Sequence, residues 1–122
     1  MYTMTFEKNQ WQFLLHASTT DKAKKVLQRI TQQIGPLEIE KIQPYWKEPT
    51  LFEIFASGET KETEKEKAIF ASLQQVNQLS NNVTLIGPEL FGTDKYQMEI
   101  LCNDSNVVGL HSFRLHMDNF LP

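Results

Sequence analysis

The sequence of 122 residues contains one cysteine and no long apolar run. Cys102 alone cannot form an intramolecular disulfide, which agrees with a reducing compartment, and its place in the apolar run 100–102 predicts a buried thiol. No stretch approaches the roughly 20 apolar residues that cross a bilayer, and no basic-then-apolar leader opens the chain. We therefore expect a cytoplasmic protein with no membrane association.

Motifs that signal catalysis or a cofactor are also missing. The five glycines are scattered and form no phosphate-binding loop, and Ser57-Gly58 lacks the sequence of a nucleophile elbow. His111 and His116 are five residues apart, so a regular strand places them on opposite faces, and they cannot share one metal ion without a bulge. His111 is in phase with Phe113 and is expected to be half-buried in the core. We expect no cofactor, no metal ion and no enzymatic activity.

Charge argues against a nucleic-acid partner. Twelve basic and fifteen acidic side chains give a net charge of −3. A protein that follows a phosphate backbone needs a basic patch with aromatic side chains among its charges. The basic cluster here lies on one predicted helix and is interpreted as its solvated face: Lys22, Lys24, Lys25 and Arg29.

The stretch Thr50–Ser57, between Pro49 and Gly58, predicts the central strand. Alternation places one wholly apolar set of side chains on one side and a carboxylate among apolar groups on the other. This pattern indicates a sheet that is covered by helices on one face only. The apolar set is Phe52, Ile54 and Ala56, and the mixed set is Leu51, Glu53 and Phe55.

The remaining elements alternate around this strand. Hydrophobic periodicity predicts, in order, a strand at 11–17, a helix ending near residue 34, strands at 37–45 and 50–57, a helix after residue 67, and strands at 83–86, 96–103 and 109–118. This order predicts a single α+β domain over residues 1–122, a ferredoxin-like split β-α-β sandwich (βαββαβ) with an added C-terminal β-hairpin. In that layout both helices lie on one sheet face, and the first and third strands are central neighbours.

An acidic binding surface is predicted on the other face. Glu38 and Glu40 alternate with apolar residues on the strand next to Glu53, and Tyr45 and Trp46 follow in a short connection. Such aromatic residues anchor protein interfaces, although core packing is an equal alternative for Trp46. Paired carboxylates also suit acid–base chemistry, but Glu-x-Glu is ordinary strand alternation. Residues that join this face if the strand registers allow it are His16, Glu99, Arg114 and His116.

Five segments carry a resemblance to a known class of proteins. They are WQFLLHA, TTDKAKKVLQRI, LEIEKI, TLFEIFASGE and GLHSFRLHMDN. In these segments the chain resembles the small immunity proteins of bacterial contact-dependent growth inhibition and related polymorphic toxin systems. The resemblance implies a non-catalytic protein that binds a cognate toxin domain, often a nuclease, and blocks its active site. The partner-binding residues we expect are Glu38, Glu40, Glu53, Tyr45 and Trp46.

A second hypothesis comes from a different class of function. A ferredoxin-like subunit can act as a small-molecule sensor or enzyme subunit that dimerises through its open sheet face. A defined apolar pocket with convergent polar groups favours this function, whereas a flat acidic face favours the immunity function. The two hypotheses together predict a monomer or a weak homodimer.

Overall fold

The computed structural model describes residues 8–59, 64–91 and 95–120. It has two helices and six strands in the order β-α-β-β-α-β-β-β. The polar opening segment, in which the alternation of Tyr2, Met4 and Phe6 allows a short edge strand, lies outside the described residues. The elements are β1 (Lys8–His16), α1 (Thr20–Ile34), β2 (Glu38–Pro44), β3 (Leu51–Glu59), α2 (Lys65–Leu79), β4 (Thr84–Phe91), β5 (Lys95–Cys102) and β6 (Leu110–Phe120).

The six strands form one antiparallel sheet in the order β2-β3-β1-β6-β5-β4. The α+β class and the pairing of β1 with β3 are confirmed. The prediction that β3 is the central strand is wrong, because β3 is second from one edge and the central pair is β1 and β6. The ferredoxin-like order is not confirmed, because that layout places the strand after the second helix beside β1. Here the chain leaves α2 for the far edge of the sheet, and β6 occupies the place beside β1. The last three strands therefore widen the sheet and do not fold over its face.

Both helices pack on the apolar face predicted from β3. The α1 stripe predicted from its three- and four-residue spacing is buried, and it joins a core in which Trp11, Phe13 and Phe113 contact one another. The helix begins where the Thr19 side chain accepts a hydrogen bond from the Lys22 amide, at 3.2 Å. It ends at Gly35, whose φ of 96° suits a residue without a Cβ.

The spacing of apolar residues predicts that α2 buries Ile69, Leu73, Val76 and Leu79, but the helix buries a narrower stripe. Val76 and Leu79 are buried as expected, but Ile69 and Leu73 are only partly buried. The small side chains of Ala68 and Ser72 are fully buried instead, since they allow the helix to approach the sheet closely. Thr60 and Thr63, either of which could cap α2 from its place in the sequence, lie outside the described residues. Cys102 is buried in the same core, as expected.

Three strands carry an extra residue relative to their neighbours, which is the signature of a β-bulge. The registers shift at 39–41 in β2, at 86–89 in β4 and at 110–112 in β6. In β4 the shift falls on Gly87-Pro88, which was expected to end this strand; β4 instead continues to Phe91, and Gly87 adopts a φ of 93°. Proline is tolerated there because a bulge leaves one residue out of the ladder.

Candidate functional site: the helix-free sheet face

The candidate site is the sheet face that neither helix covers, which we call the helix-free face. Its central rows are set by cross-strand pairs: Leu14 faces Glu53 and Ser112, and Gln12 faces Phe55 and Arg114. The predicted orientation of Glu53 and Phe55 is therefore confirmed. The rows mix polar groups with half-buried apolar groups, in contrast to the mainly apolar face beneath the helices, where Asn9 is a buried polar residue.

Glu53 lies at the centre of one polar network. It is 5% exposed, and its two carboxylate oxygens accept hydrogen bonds from Gln12 Nε2 at 2.6 Å and from Gln43 Nε2 at 2.7 Å. A buried carboxylate is tolerated when charge-assisted hydrogen bonds replace its water. Glu53 therefore joins three strands from within the face, and its carboxylate is not presented directly to a partner.

A second network lies on β5 and β6. Glu99 is paired with His116 across the two strands, and its Oε1 is 3.2 Å from His116 Nδ1. The same oxygen accepts a hydrogen bond from Arg114 Nη2. The expectation that these three side chains share the face with Glu53 is confirmed. Because Arg114 remains half-exposed while Glu99 is largely covered, the guanidinium is the part of this network that a partner can reach.

The bulge in β2 changes the charge of the face from the one expected. In a regular strand, Glu38 and Lys41 would lie on different faces of the sheet. Because Glu40 is the extra residue of the bulge, both instead lie on the helix-free side, where Glu38 pairs with Ser57 and Lys41 pairs with Phe55. Glu38, Glu40 and Lys41 are all exposed. With Arg114 present as well, the face is of mixed charge, and the expectation of an acidic face is wrong.

The connection between β2 and β3 presents the expected aromatic residues. Trp46 is 77% exposed, which excludes core packing for it, and Tyr45 is half-buried beside it with ring centroids 6.5 Å apart. Lys47 Nζ lies 5.1 Å from the centre of the Trp46 ring, within reach of a cation–π contact. A tryptophan this exposed is available to a partner.

Two histidines meet at the same end of the sheet as this connection. His16 ends β1 opposite Leu51, and its ring centroid is 5.1 Å from that of His111 on β6. His111 was expected to follow Phe113 into the core, but it is exposed because the β6 bulge falls at this residue. The face therefore carries all three histidines of the chain.

The face has one shallow concavity of about 310 Å³ among its described residues. Phe55 lies in it among polar side chains, including Gln12, Arg114 and His116. A larger cleft of about 520 Å³ opens elsewhere, between the end of α1 and β3, and its lining includes Leu37, Gly58 and Gln75. Within residues 8–59, 64–91 and 95–120, no group of three or more His, Cys, Asp or Glu side chains could hold a metal ion.

No family model, curated protein or solved structure matches this chain. Of the two helices, both within the described ranges, neither has the length and apolarity that a membrane crossing requires.

Sequence reasoning found Glu53 but not the two glutamines that hold it. Gln12 and Gln43 are polar residues on strands whose other face is apolar, and this is the signal that could have identified them. Their contact with Glu53 depends on strand register, which one sequence does not contain. The β2 bulge had a signal too, because Ile39 and Ile42, three apart, cannot share a face on a regular strand.

Proposed function

We propose that this chain is a non-catalytic protein-binding domain, an immunity protein that neutralises a cognate toxin domain in the cytoplasm by covering its active site. The supporting observation is the helix-free face, where half-buried apolar groups lie among polar groups that are already hydrogen-bonded. Such a face is pre-organised, so a partner that binds it loses little side-chain entropy. The apolar groups at its centre are Leu14, Phe55 and Leu101.

The arrangement of this surface matches a protein interface better than a catalytic site. Interfaces combine an apolar centre with a polar rim, and their anchors are enriched in tryptophan, tyrosine and arginine. Trp46 and Tyr45 at one end of the sheet and Arg114 beside Phe55 supply these residue types. A wide sheet with one shallow concavity offers area for a partner protein and little enclosure for a substrate.

Charge supports a basic partner at one edge of the face. The whole chain carries −3, and Glu38 and Glu40 are exposed on β2, the edge strand, where the exposed Lys41 offsets one of their two charges. A nuclease toxin grips phosphate with a basic cleft, so exposed carboxylates at this edge would attract it and raise the association rate. Glu53 contributes by holding Gln12 and Gln43 in place.

Affinity capture from the native host at moderate salt tests this proposal. The wild-type chain is the bait, and the proposal expects recovery of one basic toxin domain near one-to-one stoichiometry. The double variant Glu38→Lys/Glu40→Lys should capture much less of this toxin domain. The matched control Glu64→Lys/Glu66→Lys makes the same charge change at exposed positions at the start of α2 and should capture as much as wild type. Co-expression of the bait should restore the growth of cells that express the recovered toxin domain.

Two outcomes would separate the parts of the proposal. Capture of nothing by the wild-type bait, from cells shown to make candidate toxins, would contradict the binding function. Equal capture by wild type, Glu38→Lys/Glu40→Lys and Trp46→Ala would leave the binding function standing and show that the surface is assigned wrongly.

One observation favours the second candidate function, a small-molecule sensor or enzyme subunit that dimerises through the same face. The 310 Å³ concavity has polar groups converging on Phe55, as a modest ligand site requires. A homodimer that buries the helix-free face would leave it unavailable to a toxin. Solution mass therefore distinguishes the two: a stable dimer favours the sensor, and a monomer favours the immunity protein.

For the fold, we propose a ferredoxin-like relation for the first half of the chain only. The order β2-β3-β1 and the α1 crossover that joins β1 to β2 follow the connections of a split β-α-β unit. The three strands after α2 then extend this unit beyond β1.

A further inference from the structure

The two histidines at one end of the helix-free face have a geometry that the proposed function does not use. The rings of His16 and His111 lie 5.1 Å apart at their centroids and are inclined by 71°. Both residues are exposed, so an ion from solvent can reach both rings, and the His16 ring can turn at little cost. Two imidazoles in contact on neighbouring strands are the minimum that a transition-metal ion needs for bidentate attachment to a protein.

The β6 bulge brings the two rings together. Leu14 pairs with Ser112 and Leu15 pairs with Leu110, so His111 is the residue without a partner on β1. Without the bulge, His111 would alternate in phase with Phe113 and point under the helices. A backbone hydrogen bond of 2.8 Å holds β1 to the start of β6 beside this contact, with the His16 amide donating to the Gly109 carbonyl oxygen. Bulges commonly re-aim a side chain next to a functional site.

Ser112 fixes the orientation of one ring. His111 Nδ1 and Ser112 Oγ are hydrogen-bonded at 3.0 Å, and Ser112 is buried, which limits its movement. With the proton on Nδ1, the ring donates this hydrogen bond and Nε2 keeps the lone pair that a metal ion binds. Metal-ligating histidines are regularly held in this way by a polar group behind the ring.

We propose that His16 and His111 form a two-histidine binding site for a divalent transition-metal ion of the Zn²⁺, Ni²⁺ or Cu²⁺ class. Metal–nitrogen bonds of about 2.0–2.1 Å place two ligating nitrogens roughly 3 Å apart. Rings with centroids 5.1 Å apart are close enough for this separation once the His16 ring turns toward His111 Nε2. Water fills the remaining coordination positions, because both rings lie at the exposed surface. Imidazole ligands and an open surface suit these ions better than Mg²⁺ or Ca²⁺, which prefer oxygen ligands.

Titration of the purified chain with Zn²⁺ near neutral pH tests the site. Calorimetry should show saturable binding of one ion per chain, and NMR of the imidazole nitrogens should show changes at His16 and His111 but not at His116. His16→Asn and His111→Asn should each abolish this binding. His116→Asn is the matched control, since it removes the remaining histidine of the chain and should leave Zn²⁺ binding intact.

Two further measurements distinguish a metal site from a purely structural ring contact. Ser112→Ala should weaken Zn²⁺ binding by about tenfold, as expected for loss of the group that orients a ligand. Saturating Zn²⁺ should raise the melting temperature of wild type and of His116→Asn, but not of His16→Asn or His111→Asn. The proposal is overturned if no saturable binding occurs, if binding survives both single variants, or if only His116→Asn removes it.

Discussion

The two faces of the sheet are built from the same strands but have opposite characters. Beneath the helices, Trp11 and Phe13 continue a mainly apolar surface into β3, β5 and β6, on which the buried Asn9 accepts a hydrogen bond from Trp11 Nε1. On the other side, the alternate residues of the same strands lie next to carboxylates, amides and histidines of neighbouring strands. The difference shows how a period of two separates stability from recognition: one set of alternate residues forms the core, and the other is free to carry polar networks.

The largest effect is expected from the covered face. Phe13 is 0% exposed and stacks on Trp11 with centroids 5.4 Å apart, so Phe13→Ala should lower the free energy of unfolding by about 3–5 kcal/mol. Phe55→Ala, the same change on the half-buried opposite face, should cost only about 1 kcal/mol. Urea denaturation measures both values. Equal losses would mean that the two faces contribute alike to stability, contrary to the comparison.

The next effect concerns the one buried carboxylate of the helix-free face. Glu53→Ala removes the acceptor for Gln12 and Gln43 and should destabilise the protein by about 1–3 kcal/mol, because two amide donors lose their partner. Glu38→Ala, an exposed carboxylate on the neighbouring strand, should change stability by less than about 0.5 kcal/mol. If the two variants unfold at the same temperature, Glu53 does not make the two stabilising hydrogen bonds with Gln12 and Gln43.

A smaller effect is expected from the Arg114–Glu99 ion pair. A double-mutant cycle with Arg114→Ala and Glu99→Ala should give a coupling free energy of about 0.2–1 kcal/mol that falls as salt is added, since Arg114 is half-exposed. Thermal unfolding at low and high salt supplies the measurement. A coupling that is large and independent of salt would place this pair inside a more enclosed site than the shallow concavity described.

The smallest effect on folding is expected at Trp46. Its side chain is 77% exposed, so Trp46→Ala should leave the free energy of unfolding within about 0.5 kcal/mol of wild type. The same variant should lower the affinity for a captured partner by more than tenfold if Trp46 is an interface anchor, a loss of at least about 1.4 kcal/mol. Loss of stability without loss of affinity would assign Trp46 to the fold and remove it from the binding surface.

Much of the secondary structure was predictable because local signals agree along the chain. The α1 stripe, the Thr19 cap and Gly35 each mark the same helix, and the alternation in β3 predicted which of its faces the helices cover. Extended strands with a single phase, such as β1, were equally clear. In contrast, Glu40 and His111 lie at bulges, where one inserted residue moves every later side chain of the strand to the other face.

The candidate site was predictable only in part, for the same reason. Glu53 was assigned to this face from alternation, and Glu99, Arg114 and His116 were expected on it if the strand registers allowed. All four lie there. Two glutamines donate hydrogen bonds to Glu53, and Glu99 contacts both Arg114 and His116. These contacts could not be predicted, because they join strands that are far apart in sequence.

The sequence by itself determined the elements of this protein, because helix and strand periods, caps and turn residues act within a few neighbouring positions. It also determined that one sheet face would be apolar. Only the tertiary structure decided the strand order, the three register shifts, the mixed charge of the helix-free face and the meeting of His16 with His111. These features depend on which strands pair and at which residue, and that choice is made by the packing of the whole sheet.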